Sequence, residues 1–565
     1  MRAVIYRFFG VFIFFFYLAT PHYSQNIDTS SFYSNPILSR PTNQSVTISV
    51  LPKKALQVYY EYGTISGGYA HQTQVQNIAA ETTLRTVLTN LNADTRYYYR
   101  IRYKTAGASQ YSAAGEYKFY TQRAKGTTFT FTIEADPHLY DKKGGHALMR
   151  IALENQLEDN PDFMIDLGDT FGDDHNPGTI TSQEIDLLHK NYIPYFGLLN
   201  HSAPLFLCLG NHEGENGYYL LQSPPNNLAY YGTFARKKYY ANPVPDGFYT
   251  GNNNPENYGI GLPENYYAFE WGDALFVVLD VYRGYTVTAK PREWEWTLGK
   301  TQYDWFKQTL ETSSAKYKFV FAHHILGETR GGTSVAIYNE WGGYEANGTT
   351  YGFDTNRPGW GKPIHKLMVD NKVNIFFQGH DHLYAKEDID GMVYQEVPMP
   401  CDSTYILGMR DNGDAYSGIK IDGSGHLRVT VSPVNVKVDY IRAWQPSDVT
   451  PLHPNRENAY SYSVQSSVTP VEKETKLPTE FKLSQNYPNP FNPATAISFE
   501  LPAAGSVSLK IYNSIGQEIK ILADGFLSAG MHHYNWNASG LPSGVYFYQL
   551  RANGTVITKK AILLK

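Results

Sequence analysis

Phe163-Met164-Ile165-Asp166-Leu167-Gly168-Asp169-Thr170 is a short apolar run that leads directly into a Gly-Asp turn. A continuous apolar run of this length, bounded by a turn signal, predicts a buried strand. In an α/β sheet, ligands bind in the crevice at the carboxyl ends of the strands. We therefore expect the Asp169 carboxylate to face a ligand site, although an Asp after Gly can also do no more than stabilise a turn.

Four other apolar runs end in the same way, each in residues that are common metal ligands. The runs at 129–133, 204–209, 318–322 and 373–377 lead to Asp136-Pro137-His138, Gly210-Asn211-His212-Glu213, His323-His324 and Gly379-His380-Asp381-His382. Because ligands collect at the carboxyl ends of such strands, we expect all five segments to lie on one rim.

The length and composition of the chain limit its architecture and its partners. A chain of 565 residues exceeds the roughly 250–300 residues at which a single core stops growing, so we expect three or four folded units. With 42% hydrophobic and 18% charged residues, the composition is that of a soluble globular protein. The formal net charge of -5 argues against nucleic acid or an anionic membrane as a partner.

The first 24 residues have the pattern of a secretory signal peptide. Arg2 and Arg7 precede an apolar run at 8–19, and polar residues follow it. A membrane anchor is the less favoured alternative, because no basic stop-transfer cluster follows the run. We expect no transmembrane segment in the mature protein, since no other segment is long and apolar enough to cross a bilayer.

Residues 36–121 contain short runs with period-two alternation, such as those at 45–50 and 96–103, separated by turn residues. This pattern predicts a β-sandwich. The run Leu91-Asn92-Ala93-Asp94-Thr95-Arg96-Tyr97-Tyr98-Tyr99 resembles the entry to the tyrosine-rich strand of fibronectin type III domains. The resemblance implies a module that packs against a catalytic domain or frames its cleft.

Residues 127–445 change to strands that alternate with helices, which predicts an α/β layered domain. Helical spacing or capping signals predict helices over 147–157, 181–188, 301–310 and 363–369. The alternating runs at 427–432 and 436–441 predict antiparallel strands at the edge of a sheet.

The ligand-forming residues combine carboxylate, amide and imidazole donors, which suit zinc, iron or manganese. Their members are Asp136, His138, Asp169, Asn211, His323, His380 and His382. Seven ligands are too many for one catalytic ion with an open position, but they suit two divalent or trivalent ions that share a bridging carboxylate. Asp169 is the expected bridge. An isolated residue such as His365 is instead expected to be a hydrogen-bonded core histidine.

The order of these motifs and the residues in each of them resemble those of the calcineurin-like metallophosphoesterases. The preceding sandwich makes the chain similar to purple acid phosphatase-type proteins. The resemblance implies a central β-sandwich flanked by helices. It implies one ion held by Asp136, His138, Asp169 and His382, and a second held by Asp169, Asn211, His323 and His380. It also implies that His212 donates a proton to the leaving group.

The chain departs from the purple acid phosphatases at one position. Those enzymes have a metal-binding tyrosine three residues after the bridging aspartate, and this chain has Gly172 there. We therefore expect a colourless enzyme whose first ion need not be ferric iron.

Two long segments at 214–264 and 327–360 leave the expected rim, and long loops in compact domains are often functional. Their aromatic residues, which include Tyr338 and Trp341, either stack on a nucleoside or aryl leaving group or pack over the domain. His324 and Arg330 are expected to contact phosphate.

Residues 446–478 are rich in Pro, Ser, Thr, Val, Glu and Lys and predict a linker. Residues 479–565 alternate as in a small β-sandwich. Their Asn486-Tyr487-Pro488-Asn489-Pro490-Phe491-Asn492-Pro493 run and Lys559-Lys560 ending are similar to the sorting domain of type IX secretion cargo. This implies a bacterial protein, secreted or held at the cell surface, that interacts with the type IX secretion machinery.

Two classes of function remain. The favoured one is a secreted enzyme that hydrolyses small extracellular phosphate esters by in-line attack of a metal-bridging hydroxide, as an acid-phosphatase-like phosphomonoesterase. A phosphodiesterase or nucleotide hydrolase is the alternative within that class. The other class is a surface adhesion or glycan-binding protein with an inactive central scaffold.

Overall fold

The computed structural model describes residues 27–139, 145–171, 177–222, 226–325, 327, 330–407, 415–466, 480–503, 505–527, 530–552 and 554–564. The expected signal peptide at 1–24 and Gly172 lie outside these ranges. The chain divides into two compact units, Met1–Val468 and Thr469–Lys565. Within the described ranges, none of the helices combines the length and the apolar character that a membrane span requires.

The first unit is rich in strands, with helices between them. Its strands are β1 (Ile37–Ser39), β2 (Val46–Val50), β3 (Leu56–Gly63), β4 (His71–Gln72), β5 (Gln76–Ile78), β6 (Leu84–Leu88), β7 (Arg96–Lys104), β8 (Ser112–Ala113), β9 (Tyr117–Tyr120), β10 (Phe129–Glu134), β11 (Phe163–Asp166), β12 (Leu205–Leu207), β13 (Thr250–Gly251), β14 (Tyr267–Trp271), β15 (Ala274–Val278), β16 (Tyr317–Phe321), β17 (Ile375–Gln378), β18 (Tyr384–Ile389), β19 (Met392–Glu396), β20 (Ile419–Ile421), β21 (Gly425–Val431), β22 (Asn435–Arg442) and β23 (Asn458–Gln465). Its helices are α1 (Gly145–Glu158), α2 (Ser182–Asn191), α3 (Ile193–Leu199), α4 (Gly217–Gln222), α5 (Leu228–Tyr239), α6 (Lys300–Thr312), α7 (Asn339–Gly342), α8 (Phe353–Asn356) and α9 (Ile364–Asp370), with a 3-10 turn at Glu293–Glu295. The four predicted helices correspond to α1, α2, α6 and α9.

Two sheets form the centre of this unit. The first has the order β23-β22-β21-β10-β11-β12-β1-β2-β6, and the second has the order β13-β14-β15-β16-β17-β19-β18-β20. Strands β10, β11 and β12 run parallel in the first sheet, and β16 and β17 run parallel in the second. The five strands that precede the predicted ligands are therefore neighbours within two parallel sets.

Phenylalanine side chains from both sheets fill the space between them. The Phe276 ring of β15 lies 5.1 Å from the Phe131 ring of β10 and 5.2 Å from the Phe163 ring of β11. The outer face of the first sheet is covered by α1 and α3, and that of the second by α6 and α9. The predicted fold class, an α/β sandwich flanked by helices, is confirmed.

The amino-terminal sandwich is joined to the central sheet. Strand β1 pairs in parallel with β12 through Ser39 and Leu205, so β1, β2 and β6 extend the first sheet. A second sheet built from β3, β4, β5, β7, β8 and β9 packs across them. The Tyr99 hydroxyl donates a hydrogen bond of 2.8 Å to the His201 carbonyl, which ties this second sheet to the segment between α3 and β12.

The segment expected to be a linker at 446–478 differs from that prediction in its first part. Strand β23 pairs with β22, and Tyr460, Tyr462 and Val464 pack against the inter-sheet core. Arg456 forms an ion pair of 2.7 Å with the buried Asp159 carboxylate. The period-two alternation of β23 was hidden by the surrounding Ser and Pro residues. Residues 467–479 lie outside the described ranges.

The second unit is a small β-sandwich, as predicted. Its strands are β24 (Lys482–Leu483), β25 (Ala494–Leu501), β26 (Gly505–Tyr512), β27 (Glu518–Leu527), β28 (Gly530–Asn537), β29 (Gly544–Ala552) and β30 (Thr555–Leu563). They form one sheet in the order β24-β25-β28 and another in the order β27-β26-β29-β30. The Phe499, Trp536 and Tyr548 side chains are buried between the two sheets.

We expect Phe276→Ala to destabilise the first unit by about 3–5 kcal/mol, because it removes the ring that contacts strands of the opposite sheet. The shift in the urea midpoint, followed by far-ultraviolet circular dichroism, measures this loss. Phe234→Ala is the matched control: this ring is 40% exposed on α5, so the change should stay within about 0.5 kcal/mol. Equal shifts in the two variants would show that the inter-sheet rings do not hold the sheets together.

Candidate metal centre

Three of the five ligand-bearing loops, those after β10, β11 and β17, hold predicted ligands in a strained backbone. The φ angles of Asp136, His138, Asp169, His380 and His382 are 57°, 38°, 58°, 78° and 68°. Each residue of this kind with positive φ costs about 1–3 kcal/mol and persists only where the surrounding structure imposes it. Five such residues in one cluster point to a functional constraint.

The side chains in this cluster lie at distances that suit shared ligation of an ion. The Nε2 atom of His323 is 3.2 Å from Asp169 Oδ2, and the Nε2 atom of His138 is 3.5 Å from the same oxygen. The Nε2 atom of His382 is 3.5 Å from Asp136 Oδ1. Two atoms that each lie roughly 2.1 Å from one ion, at a tetrahedral angle, are about 3.4 Å apart.

The potential ligands among the described residues fall into overlapping sets. The ligand atoms within each set lie within 4.8 Å of one another: Asp136, His138 and His382; His138, Asp169 and His212; Asp169, His323 and His380. Asp169 belongs to two of these sets. The structure therefore brings the predicted carboxylate and imidazole ligands together around Asp169, with His212 beside them.

Asn211 completes the group of seven. Its side chain is 3% exposed, and the backbone N–H of the next residue, His212, donates a hydrogen bond of 2.8 Å to Asp169 Oδ1. The Oδ1 atom of Asn211 and both ring nitrogens of His380 are buried without a hydrogen-bond partner. An unpaired buried polar atom costs about 1–3 kcal/mol, so a bound cation accounts for the arrangement. The donor set fits a borderline metal ion.

The electrostatics keep the two aspartates ionised and the His380 ring neutral. Burial alone would raise the pKa of Asp136, but the His323 and His382 imidazoles outweigh it and hold that pKa well below its usual value. The pKa of Asp169 is likewise lowered, because His323 and His212 overcome the effect of burial. Burial lowers the pKa of His380 far enough to keep its ring neutral. Ionised carboxylates and neutral imidazoles are the forms that bind metal. Burial lowers the pKa of His323, but the Asp169 and Asp136 carboxylates outweigh it and raise that pKa to about 9, so His323 must release a proton when an ion binds.

Comparisons with known proteins agree with this geometry. Residues 129–384 match the family model described as calcineurin-like phosphoesterase. The chain contains a calcineurin-like phosphoesterase domain. Residues 485–564 match the secretion system C-terminal sorting domain, which identifies a secreted or cell-surface bacterial protein. No curated protein sequence matches the chain.

Two solved structures are similar in fold to about three quarters of the chain or more. PhoD is 16% identical with a TM-score of 0.53, and the alignment covers 79% of this chain and 92% of PhoD. The purple acid phosphatase PPD1 from yellow lupin (Lupinus luteus) seeds is 13% identical with a TM-score of 0.50, over 76% of this chain and 74% of PPD1. At these identities the likeness shows the fold alone. The family match identifies a metal-dependent phosphoric ester hydrolase.

Glu213 holds two catalytic loops of the phosphoesterase domain together. Its carboxylate accepts hydrogen bonds from the backbone N–H groups of Asp169, Thr170 and Phe171 at 2.9, 2.6 and 3.2 Å, and from that of Gly210. The sequence analysis quoted Glu213 in its motif but assigned it no role. Its contact with residues more than 40 positions away leaves no local signal.

The loop after β17 is fixed by a second buried carboxylate. Asp381 accepts hydrogen bonds from the Gly331 N–H at 2.8 Å, the Tyr416 hydroxyl at 2.7 Å and Arg330 Nη1 at 2.9 Å. The backbone N–H of His380 donates to Asp136 Oδ2 at 2.7 Å. These bonds hold His380 and His382 against the loop after β10.

The two residues expected to contact phosphate have different surroundings. Arg330 pairs with Asp381, and its side chain remains one-third exposed beside the centre. His324 is fully buried, with Nδ1 2.7 Å from the Ile325 carbonyl and Nε2 3.1 Å from the Gly331 carbonyl. Burial lowers the pKa of His324, and a neutral imidazole donates from only one ring nitrogen, so one of these two carbonyls accepts a hydrogen bond from it. The expected contact of His324 with phosphate stays a prediction.

We expect Glu213→Gln to weaken both the fold and the response to metal, because the amide NH2 replaces one carboxylate oxygen and leaves two of the four buried backbone N–H groups without an acceptor. Each N–H left unpaired costs about 1–3 kcal/mol, so a loss of at least about 2 kcal/mol is expected. The rise in Tm on adding Zn²⁺, measured by differential scanning calorimetry, should also shrink. Glu311→Gln on the exposed face of α6 is the control and should change neither quantity. An unaltered Zn²⁺ response in Glu213→Gln would contradict this role.

Proposed function

We propose that the chain is a secreted dinuclear metal phosphoesterase that hydrolyses extracellular phosphate esters, with acid-phosphatase-like action on monoesters. The observation that supports it most is the meeting of two ligand sets at Asp169. A single buried carboxylate with imidazoles on both sides is the arrangement that two neighbouring cations require. The domain limits proposed for this enzyme are 127–445, with the sandwich at 36–121 before it.

The proposed ligands divide between the two ions. One ion would be held by Asp136, His138, Asp169 and His382, and the other by Asp169, Asn211, His323 and His380. The mixture of oxygen and nitrogen donors favours zinc, iron or manganese without selecting one of them. When bound, such a pair activates water as the nucleophile and neutralises charge on the phosphoryl oxygens.

His212 is proposed to protonate or hydrogen-bond the leaving oxygen. Its side chain is 25% exposed, which makes it more accessible than the buried ligands, and its Nε2 atom lies 3.9 Å from Asp169 Oδ2. Its backbone is fixed by the hydrogen bond to Asp169 Oδ1. A positioned imidazole next to the reaction site typically contributes a factor of about 10²–10⁴ in rate.

Residues around the ligands position the loops of the site and favour an anionic substrate. Phosphoryl transfer depends mainly on orientation and charge stabilisation. Gly168 allows the close approach of two ligand-bearing loops, because a Cβ atom there would lie 2.4 Å from the Gly210 nitrogen. The exposed part of Arg330 lies beside the His380 loop, where its positive charge favours an anionic substrate.

The metal-centre residues are compatible with the first alternative function, a phosphodiesterase or nucleotide hydrolase, and argue against the second, an adhesion or glycan-binding protein. A phosphodiesterase or nucleotide hydrolase would use the same ligands, and substrate choice separates it from a monoesterase. An adhesion or glycan-binding protein with an inactive scaffold has no use for buried unpaired atoms such as Asn211 Oδ1. The type IX secretion machinery is proposed to recognise the C-terminal unit. Residues 1–24 are proposed to be a signal peptide that directs the chain to export.

We expect the protein reconstituted with Zn²⁺ or Mn²⁺ to hydrolyse p-nitrophenyl phosphate faster than bis-p-nitrophenyl phosphate. Asn211→Ala should reduce kcat/KM for both compounds by at least about 10²-fold, because it removes a ligand from one ion. Initial rates at saturating metal measure this. Faster cleavage of the diester would establish the phosphodiesterase alternative. No hydrolysis of either compound with any of zinc, iron or manganese would favour the adhesion protein.

His212→Ala should lower kcat by about 10²–10⁴-fold while leaving the amount of bound metal unchanged. Metal analysis beside the rate assay separates a proton donor from a ligand. His365→Ala provides the matched histidine control, since that ring bonds the Tyr394 hydroxyl at 2.8 Å and Asp390 at 3.0 Å, away from the ligand cluster. A loss of metal in His212→Ala would assign the residue to the ligands instead.

A further inference from the structure

A cavity of about 350 Å³ lies beside the loop that follows the metal-centre residue His323. Its walls include Trp296, Ile325, Val335, Tyr338, Asn339 and Trp341. Ile325 is two residues from His323, and two residues span at most about 7 Å. The volume is within the range of about 300–1,000 Å³ that small-molecule sites have.

Packed rings connect the cavity to the metal centre. The Tyr282 ring lies 5.9 Å from the His323 ring and 6.1 Å from the Trp296 ring. The Trp296 ring also meets the Tyr285 ring edge-on at 5.0 Å, and only 7% of Trp296 is exposed. These contacts hold Trp296 in place as one wall, so this wall is preformed.

A second lining residue, Trp341, is equally fixed. Trp341 is completely buried, its Nε1 donates a hydrogen bond of 2.9 Å to the Tyr394 hydroxyl, and its ring packs against Phe376. Tyr338 is half-buried at the cavity. The buried Trp341 supports the wall, while the faces of Trp296 and Tyr338 that remain accessible favour a planar ring over a flexible chain.

The charge of the cavity excludes phosphate from it. None of the described residues that line it is Lys or Arg, and the Glu293 carboxylate is exposed at its edge. An anionic phosphoryl group is therefore attracted to the metal centre and repelled here. The cavity suits the uncharged organic part of an ester.

Asn339 adds a polar requirement. Its Oδ1 atom is buried without a hydrogen-bond partner, and its backbone has a φ of 49°. Asn339 lines the cavity, so a ligand donor that reached this oxygen would remove a cost of about 1–3 kcal/mol. Asn339 and Glu293 both offer acceptors, so a ring with N–H groups is preferred over a hydrocarbon ring.

We propose that this cavity binds the leaving group of the substrate, and that this group is an aromatic heterocycle with N–H donors, as in a nucleoside phosphate. The inference rests on the proposed function, because it places the organic part of the ester here while phosphate lies at the metal centre. Replacing an aromatic side chain that stacks on a base by alanine typically weakens binding by about 5- to 150-fold.

The test compares kcat/KM for adenosine 5′-monophosphate with kcat/KM for glycerol phosphate in the full-length, metal-loaded protein. Tyr338→Ala should lower this ratio at least about tenfold, and Tyr338→Phe should retain it. Tyr230→Ala is the matched control, because that ring lines a separate groove with Phe234 and Lys238. A ratio in Tyr338→Ala that equals the wild-type ratio would overturn the proposal.

A second measurement does not depend on catalysis. Adenosine, which has no phosphate, should bind the full-length protein without added metal in isothermal titration calorimetry, and Tyr338→Ala should weaken this binding at least about tenfold. Absence of adenosine binding by the wild-type protein at millimolar concentration would overturn the proposal. If the wild type hydrolyses neither ester, the proposed function fails, whereas the adenosine titration still decides whether the cavity binds a heterocycle.

Discussion

The metal centre depends on the position of the Asp169 carboxylate, which lies where the loop after β11 contacts the loop after β12. Glu213 holds the two loops together, since its carboxylate accepts hydrogen bonds from backbone N–H groups in both of them. These bonds offset the cost of the left-handed backbone conformation of Asp169. Histidines from three further loops then surround that carboxylate. The ligands lie far apart along the chain, so they can meet only when these loops are held next to one another.

The two-sheet sandwich explains how such distant loops can meet. The rings of Phe131, Phe163 and Phe276 interlock between the sheets, so the ends of β10–β12 and of β16–β17 cannot slide independently. Rigid cores resist continuous deformation, which allows strain to be stored at the rim. The amino-terminal sandwich extends one of these sheets through β1 and stiffens it further.

The sequence contained enough information to predict the strands and the ligand types. Apolar runs such as 163–167 and 318–322 are followed within two residues by Asp or His, so local pattern alone places those residues at strand ends. Contacts over long distances in sequence could not be read in this way. The pairing of Ser39 with Leu205, the bonds from Glu213 and Asp381, and the burial of His324 all depend on tertiary structure. Strand β23 was missed because its alternation lies in a Ser- and Pro-rich setting.

The central claim is that Asp169 is shared by two ions. Counting the ions by native mass spectrometry, supported by elemental analysis, tests it most directly on the wild-type chain and on Asp169→Asn. The account predicts two ions per wild-type chain and the loss of both, or nearly both, in the variant, since each ligand set loses its common member. One ion per wild-type chain, or two ions retained in Asp169→Asn, would contradict it.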